Sequence, residues 1–231
     1  MRVAGADGCK AGWLVVARSG EGWAASILST AGVLALGARV VGLDMPIGLA
    51  DAPGPRAADL AARRFLVERG GEGVRAPGSR VFPAPSRAHL GLIPLGYHAA
   101  NARLPAGQRF TQQAFNIARR IAELDAALPG EGPVHEVHPE VSFAALAGHT
   151  LPPKKSPEGR ALRRCLLAAE GFDTAALAAA LGPRTGRWGE DDLLDACAAA
   201  WSAGRIAAGV HGTLRHPPPR DARGKRMAIR Y

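Results

Sequence analysis

Cysteine is scarce in this 231-residue chain: Cys9, Cys165 and Cys197 make an odd count with no C-x-x-C pair. That excludes a disulfide framework and a four-cysteine zinc site. No apolar run approaches the ~18–20 residues of a membrane span. No targeting leader precedes the first strand-like segment, so the expected compartment is the cytoplasm, with no membrane partner. No G-x-G-x-x-G opens a helix after the first strand, which removes a Rossmann dinucleotide domain. The glycines from Gly5 to Gly12 lack Walker spacing and read as a hairpin. Lysine is rare as well. Only Lys10, Lys154, Lys155 and Lys225 contribute to the 29 cations; the rest are arginine, set against 20 acids for a net charge of +9. Such a surplus favours polyanions, nucleic acid first. A GC-rich genome writes the same Arg-, Ala-, Gly- and Pro-rich composition whatever the partner, so charge alone decides nothing.

Hydrophobic residues are 47% of the chain and charged residues 21%, an ordinary balance for a globule that buries roughly 70–75% of its unfolded surface. One domain over residues 1–231 is expected. Val3 to Ala6, Trp13 to Ala17 and Trp23 to Leu28 read as strands of an antiparallel meander, separated by glycine turns. A short helix fits around Gly32 to Gly37. Val40 to Leu43 is a buried strand that ends at Asp44-Met45-Pro46. Pro55 to Arg69 is helical. Residues of about 70–110 form an irregular insertion rich in Pro, Gly and Arg, the kind of segment that serves as a lid or binding loop. Thr111 caps a helix to Leu128. Val134 to His138 is a strand. Helices follow at Ser142 to Ala147, Glu158 to Glu170, Asp173 to Leu181 and Glu190 to Ala208, then a basic strand-like tail from Arg226 to Tyr231. The order is α/β. Cys9 reads as small packing, and Cys165 and Cys197 as helix core.

The few acids fall in unexpected places. Asp7 and Asp44 each terminate an apolar strand. Glu136 lies within a third, with His138 two residues on and so on the same face. Glu140 opens the next helix, and Asp192 and Asp195 share a face of the long helix at i, i+3. Taken singly, Asp7 or Asp44 is explained as a turn former, and Asp191 and Asp192 by the helix dipole. Glu136 and Asp195 sit among apolar neighbours and demand more. His138 stays open between metal ligand, base and core histidine. Parallel strands bring their ends to one sheet edge, where α/β sites lie. If Asp7, Asp44 and Glu136 meet there, each close pair repels by up to ~4 kcal/mol at an effective dielectric of 20. Cations, shared protons or arginines must offset that repulsion. Oxygen ligands with few histidines suit Mg²⁺ or Mn²⁺, and two such ions assist phosphodiester hydrolysis.

Seven segments in order carry a resemblance. They are Gly5-Ala6-Asp7-Gly8-Cys9-Lys10-Ala11-Gly12-Trp13; Asp44-Met45-Pro46-Ile47-Gly48-Leu49; the helix with Arg56, Asp59, Ala62 and Arg63; Val81 to Arg87; Glu136-Val137-His138-Pro139-Glu140-Val141-Ser142-Phe143; Lys154-Lys155-Ser156; and Asp191 to Ala196. Together they resemble domain-of-unknown-function family 429, described as predicted nucleases of the RNase H-like fold. The resemblance implies a single RNase H-like domain with a mixed five-stranded sheet, its first three strands antiparallel, and helices on both faces. It places Asp7 at the first-strand aspartate position, Asp44 at the fourth-strand acid, and Asp192 and Asp195 at the D-x-x-D of the last helix. Glu136 and Glu140 fall in the E-x-H-P-E motif, as a further ligand or as substrate binders.

The expectation is thus a Mg²⁺- or Mn²⁺-dependent nuclease with Asp7, Asp44, Glu136, Asp192 and Asp195 as catalytic and metal-binding acids. Arg63, Arg80, Arg87 and Lys154 would orient phosphates of RNA or DNA, and His138 and Glu140 would contact substrate. The alternatives are a small-molecule phosphate-handling enzyme of the same fold superfamily and a non-catalytic nucleic-acid-binding module. Oligomeric state stays open, a dimer included.

Overall fold

The computed structural model describes residues 2–71, 74–128 and 130–231. Its main sheet has five strands: β1 (Val3–Cys9), β2 (Gly12–Ser19), β3 (Gly22–Leu28), β4 (Val40–Leu43) and β5 (Val134–Glu136), in the order β3-β2-β1-β4-β5. The first three are antiparallel, while β4 runs parallel to β1 and β5 parallel to β4. This is the expected mixed α/β sheet. Nine helices are found among the described residues: α1 (Thr30–Leu34), α2 (Ala57–Glu68), α3 (Arg87–Leu90), α4 (Tyr97–Ala102), α5 (Gln112–Ala127), α6 (Pro139–Ala147), α7 (Pro157–Ala169), α8 (Thr174–Leu181) and α9 (Glu190–Ala208). Two short strands, β6 (Thr213–Leu214) and β7 (Ile229–Arg230), pair as a separate ribbon. None of these helices is long and apolar enough to cross a membrane.

The alternation of β1 and β2 sends successive side chains to opposite faces. Trp13, Val15, Ala4 and Ala6 pack on one face with Val41, Leu43 and the Ile121 and Leu124 stripe of α5. Leu14 and Val16 pack on the other with Phe143, Leu167, Phe172 and Leu193 from α6 to α9. Both faces are therefore covered by helices, which explains why β4 and the first four residues of β1 carry no polar side chain.

Helix α9 sits unusually close to the sheet, and glycine is the reason. Gly5 of β1 and Gly42 of β4 are paired neighbours. A Cβ on Gly5 would lie 2.0 Å from the Ala200 backbone nitrogen, and one on Gly42 would lie 2.4 Å from the Ala199 carbonyl oxygen. Both distances are far inside van der Waals contact, so only glycine fits. The facing helix surface is itself small: Ala196, Ala199, Ala200 and Ala203 are fully buried. α9 starts on three acids, Glu190 to Asp192, which its N-terminal dipole favours, and Asp192 accepts the Gly189 N–H at 2.8 Å.

Three readings of the sequence need correcting. The strand from Val134 ends at Glu136; His138 is the N-cap of α6, and Pro139 takes the first helical position, where its missing N–H costs nothing. β1 runs through Asp7 to Cys9 rather than stopping at Ala6, because the hairpin with β2 continues past the end of the parallel pairing. Cys165 is exposed, although Cys9 and Cys197 are buried. Much of the 70–110 stretch is ordered into α3, α4 and short 3₁₀ turns, with Ala100 and Phe110 packed against α5.

Candidate metal centre

The close approach of α9 also aligns the acids. Asp7 stands two residues past Gly5 and Asp44 two past Gly42, so both point to the α9 face. Asp195 stands four residues before Ala199 and faces them. One carboxylate oxygen of each lies within 4.8 Å of the other two. Asp7 and Asp195 are buried and Asp44 is partly so. Asp7 accepts the Gly8 N–H at 2.7 Å. The G-x-D sequence, repeated at the ends of two adjacent parallel strands, is thus a positioning device: the glycines admit the helix and the aspartates meet its acid.

Burial raises all three carboxyls. Asp7 is pushed well above the usual range by burial, then by the charges of Asp44 and Asp195. Asp44 is pushed up to about 7 by burial and Asp195, against a hydrogen bond with Asp7 and the charge of Lys154. Asp195 is raised to about 6 by burial, despite a 2.5 Å ion pair with Lys154 Nζ. Lys154 is held firmly protonated by these acids. With all three carboxyls ionised, the group and its one ammonium carry two net negative charges, which one divalent cation would balance. Close oxygens, no sulfur and no histidine within the group are the donor set of a hard ion. The residues present therefore fit a metal.

The acids open onto a cleft of about 550 Å³ lined by Arg80, Phe82, Ile117, Arg120, His138 and Lys154 among others. Arg80 donates to Glu140 at 2.6 Å and to the Leu151 carbonyl at 2.8 Å, leaving its buried Nη2 without a partner among the described residues. His138 likewise has an unpartnered buried Nδ1, and burial lowers its pKa, keeping the ring neutral. Phe82 is a large exposed apolar side chain, 42% accessible, on the cleft wall. Arg120 crosses the cleft side of Gly8, donates to the Cys9 carbonyl and lies over the Trp13 ring. Neither Arg120 nor Phe82 was expected from sequence. The legible signal for Arg120 was the stripe Gln113, Ile117, Arg120 at i, i+4, i+7 on α5, all three of which reach the cleft.

Other candidates go elsewhere. Glu136 is opposite Leu43 in the β4–β5 register, so it shares the α5 face and points away from Asp44. Its carboxylate is bound by Arg56 at 2.6 and 2.9 Å and by the Ile47 N–H at 2.7 Å. Arg56 in turn grips Asp59 at 2.6 Å and the Gly48 carbonyl at 2.9 Å. Glu136 therefore fastens the turn that follows Asp44 and lies outside the acid group. It does not share a face with His138, because the strand ends between them. Asp192 caps α9 and stands outside the three-acid group, although its charge raises Asp7. Glu140 is held by Arg80 and by the fully buried Arg163 at 2.7 Å. Arg63 holds the Val81 carbonyl at 2.9 Å, and Arg87 binds Asp51, Asp125 and Asp221; neither reaches the cleft. Arg80, His138, Glu140 and Lys154 do.

Residues 5–222 match the family model described as protein of unknown function DUF429, and the chain belongs to that family. No curated protein and no solved structure gives a match to the chain.

Proposed function

We propose that this member of the DUF429 family is a divalent-metal-dependent hydrolase of nucleic-acid phosphodiester bonds. The reading rests on one observation: Asp7, Asp44 and Asp195 converge within 4.8 Å at the shared end of two parallel strands, with Lys154 paired to Asp195. The mixed sheet agrees with the RNase H-like architecture that the sequence resemblance implies. Asp7, Asp44 and Asp195 would hold Mg²⁺ or Mn²⁺, and charge balance favours one resident ion beside Lys154. When bound, such an ion lowers the pKa of an attacking water and offsets charge on the phosphate.

The rest of the chemistry belongs to the chain. Arg80 lines the cleft and lends its charge to a phosphate there. Its Nη1 is fixed by Glu140, so the guanidinium is pre-oriented. Lys154 supplies a second cation from the α6–α7 loop, and Arg120 a third from α5. Phe82 offers a face on which an unpaired base can stack. His138, a neutral ring on the cleft wall, is the candidate general base. An exposed aromatic on the cleft wall suits an unstacked base better than a paired one.

Purified protein should cleave single-stranded DNA or RNA with Mn²⁺ or Mg²⁺, stop with a chelator, and lose cleavage in Asp7→Asn. Wild-type cleavage by Asp7→Asn, or no turnover on single-stranded, duplex and branched substrates with either ion, would overturn the proposal. The cleft volume also lies in the small-ligand range. Turnover confined to mononucleotides would therefore move the activity to the small-molecule class.

A further inference from the structure

The opposite end of the sheet carries a second concavity, of about 630 Å³, lined by Arg39, Arg220, Arg226, Arg230, His135 and His211 among others. It shares no lining residue with the acid cleft. Asp44 follows the end of β4 and Asp195 lies in the second turn of α9. This concavity instead meets Val40, at the start of β4, and Ile206 and Ala207, in the last turn of α9. Eleven helical residues, about 17 Å at ~1.5 Å rise, separate the two.

Charge is unbalanced here. No carboxylate side chain is among the described lining residues. Arg220 and Arg226 share one acid outside the lining, Glu131, the latter at 3.0 Å. Arg230 is only 9% exposed and makes no ion pair with any carboxylate among the described residues; its Nη1 meets His135 Nδ1 instead. A guanidinium cannot shed its proton, so a buried one with no direct ion pair is a costly arrangement, which the field of Glu131 offsets in part. The histidines register the same field. His135 is lowered to about 4 by burial and by Arg230; burial, Arg230 and Arg205 lower His211, whose buried Nδ1 has no partner among the described residues. The carbonyl end of α9 contributes about half a negative charge. Arg205, donating to the Val210 carbonyl at 2.7 Å there, more than cancels it.

We propose that this concavity binds a phosphate-bearing small molecule, with the phosphate seated against Arg230 and Arg226. Several guanidinium forks converging from different segments suit a tetrahedral anion that accepts bonds from many directions. The neutral imidazoles can add N–H donors. The volume is that of a nucleotide-sized ligand. The proposal is independent of hydrolysis in the acid cleft.

The test is calorimetric titration with inorganic phosphate, a nucleoside monophosphate and a short single-stranded oligonucleotide, each against potassium chloride at matched ionic strength. Phosphate and the monophosphate should each show a binding event that depends on Arg230 and Arg226. Arg230→Gln and Arg226→Ala should each weaken binding at least tenfold. The imidazole resonances of His135 and His211 should move on adding phosphate at constant pH. Arg226 is exposed, so its variant answers even if Arg230→Gln fails to fold. Wild-type affinity in Arg226→Ala, heats equal to those of chloride, or binding of the oligonucleotide alone would overturn the proposal.

Discussion

Replacing Asp44 with asparagine should make the metal-free protein more stable at pH 8, not less. The Asp44 carboxyl is raised from 3.8 to about 7 by burial and the Asp195 charge. A raised carboxyl means that the folded chain holds a proton which the unfolded chain has released. Stability therefore falls as pH rises from near 4 to near 7. At about 1.4 kcal/mol per pH unit the loss is at most about 4 kcal/mol, and about 2 kcal/mol once screening in the open cleft is allowed for. Asparagine keeps the shape without the charge. Urea unfolding followed by tryptophan fluorescence, with a chelator present, should show a falling pH profile for the parent and a flatter one for Asp44→Asn. The variant should lead by about 2 kcal/mol at pH 8 and match the parent near pH 4.5. Adding Mn²⁺ at a hundred times its Kd should then stabilise the parent by about 2.7 kcal/mol and the variant hardly at all. A variant less stable than the parent at pH 8 without metal would refute the reasoning. So would equal stabilisation of both by Mn²⁺.

Gly42→Ala, which forces a Cβ to 2.4 Å from a helix carbonyl, should cost about 3 kcal/mol or more in thermal or urea unfolding and separate α9 from the sheet; Mn²⁺ affinity should fall with it, though no ligand has changed. Arg56→Met strips the counter-charge from buried Glu136 and Asp59 and should cost about 3–5 kcal/mol in the same assay, whereas Glu136→Gln should still bind Mn²⁺ by calorimetry. Lys154→Met removes the cation that competes for Asp195; Mn²⁺ should bind roughly five- to tenfold more tightly, by an effect of about 1 kcal/mol, while cleavage slows because a phosphate contact is gone.

Asp7, Asp44 and Asp195 were legible because each is an acid where the local pattern calls for an apolar residue or a strand end. Strand parity then makes a specific claim, that i and i+2 share a face, and the glycines two residues before Asp7 and Asp44 obey it. Glu136 shows where such reading stops. An acid within a buried strand does require a partner, and that inference holds. The partner is Arg56, 80 positions away, and the face Glu136 takes depends on its pairing with Leu43 rather than Asp44. A shift of one residue in the β4–β5 register would have turned it toward α9. Register between distant strands is set by packing across the whole sheet, which no local window contains.

The same limit governs the arginines. In a chain with so many guanidiniums, most buried acids find one, as Asp59, Asp125, Glu136 and Glu140 do. Once the register places acids on opposite faces of one sheet, the acids matched by arginine build the frame and those left with only Lys154 are the candidates for chemistry. Arg230 is the converse case, a buried guanidinium without an ion pair to any carboxylate among the described residues. One rule therefore locates both proposed sites. Uncompensated buried charge is too costly to persist by accident, and its sign names the ligand: a divalent cation at the aspartates, a phosphate at the arginines. The phosphate titration tests that rule where no family resemblance suggests the answer.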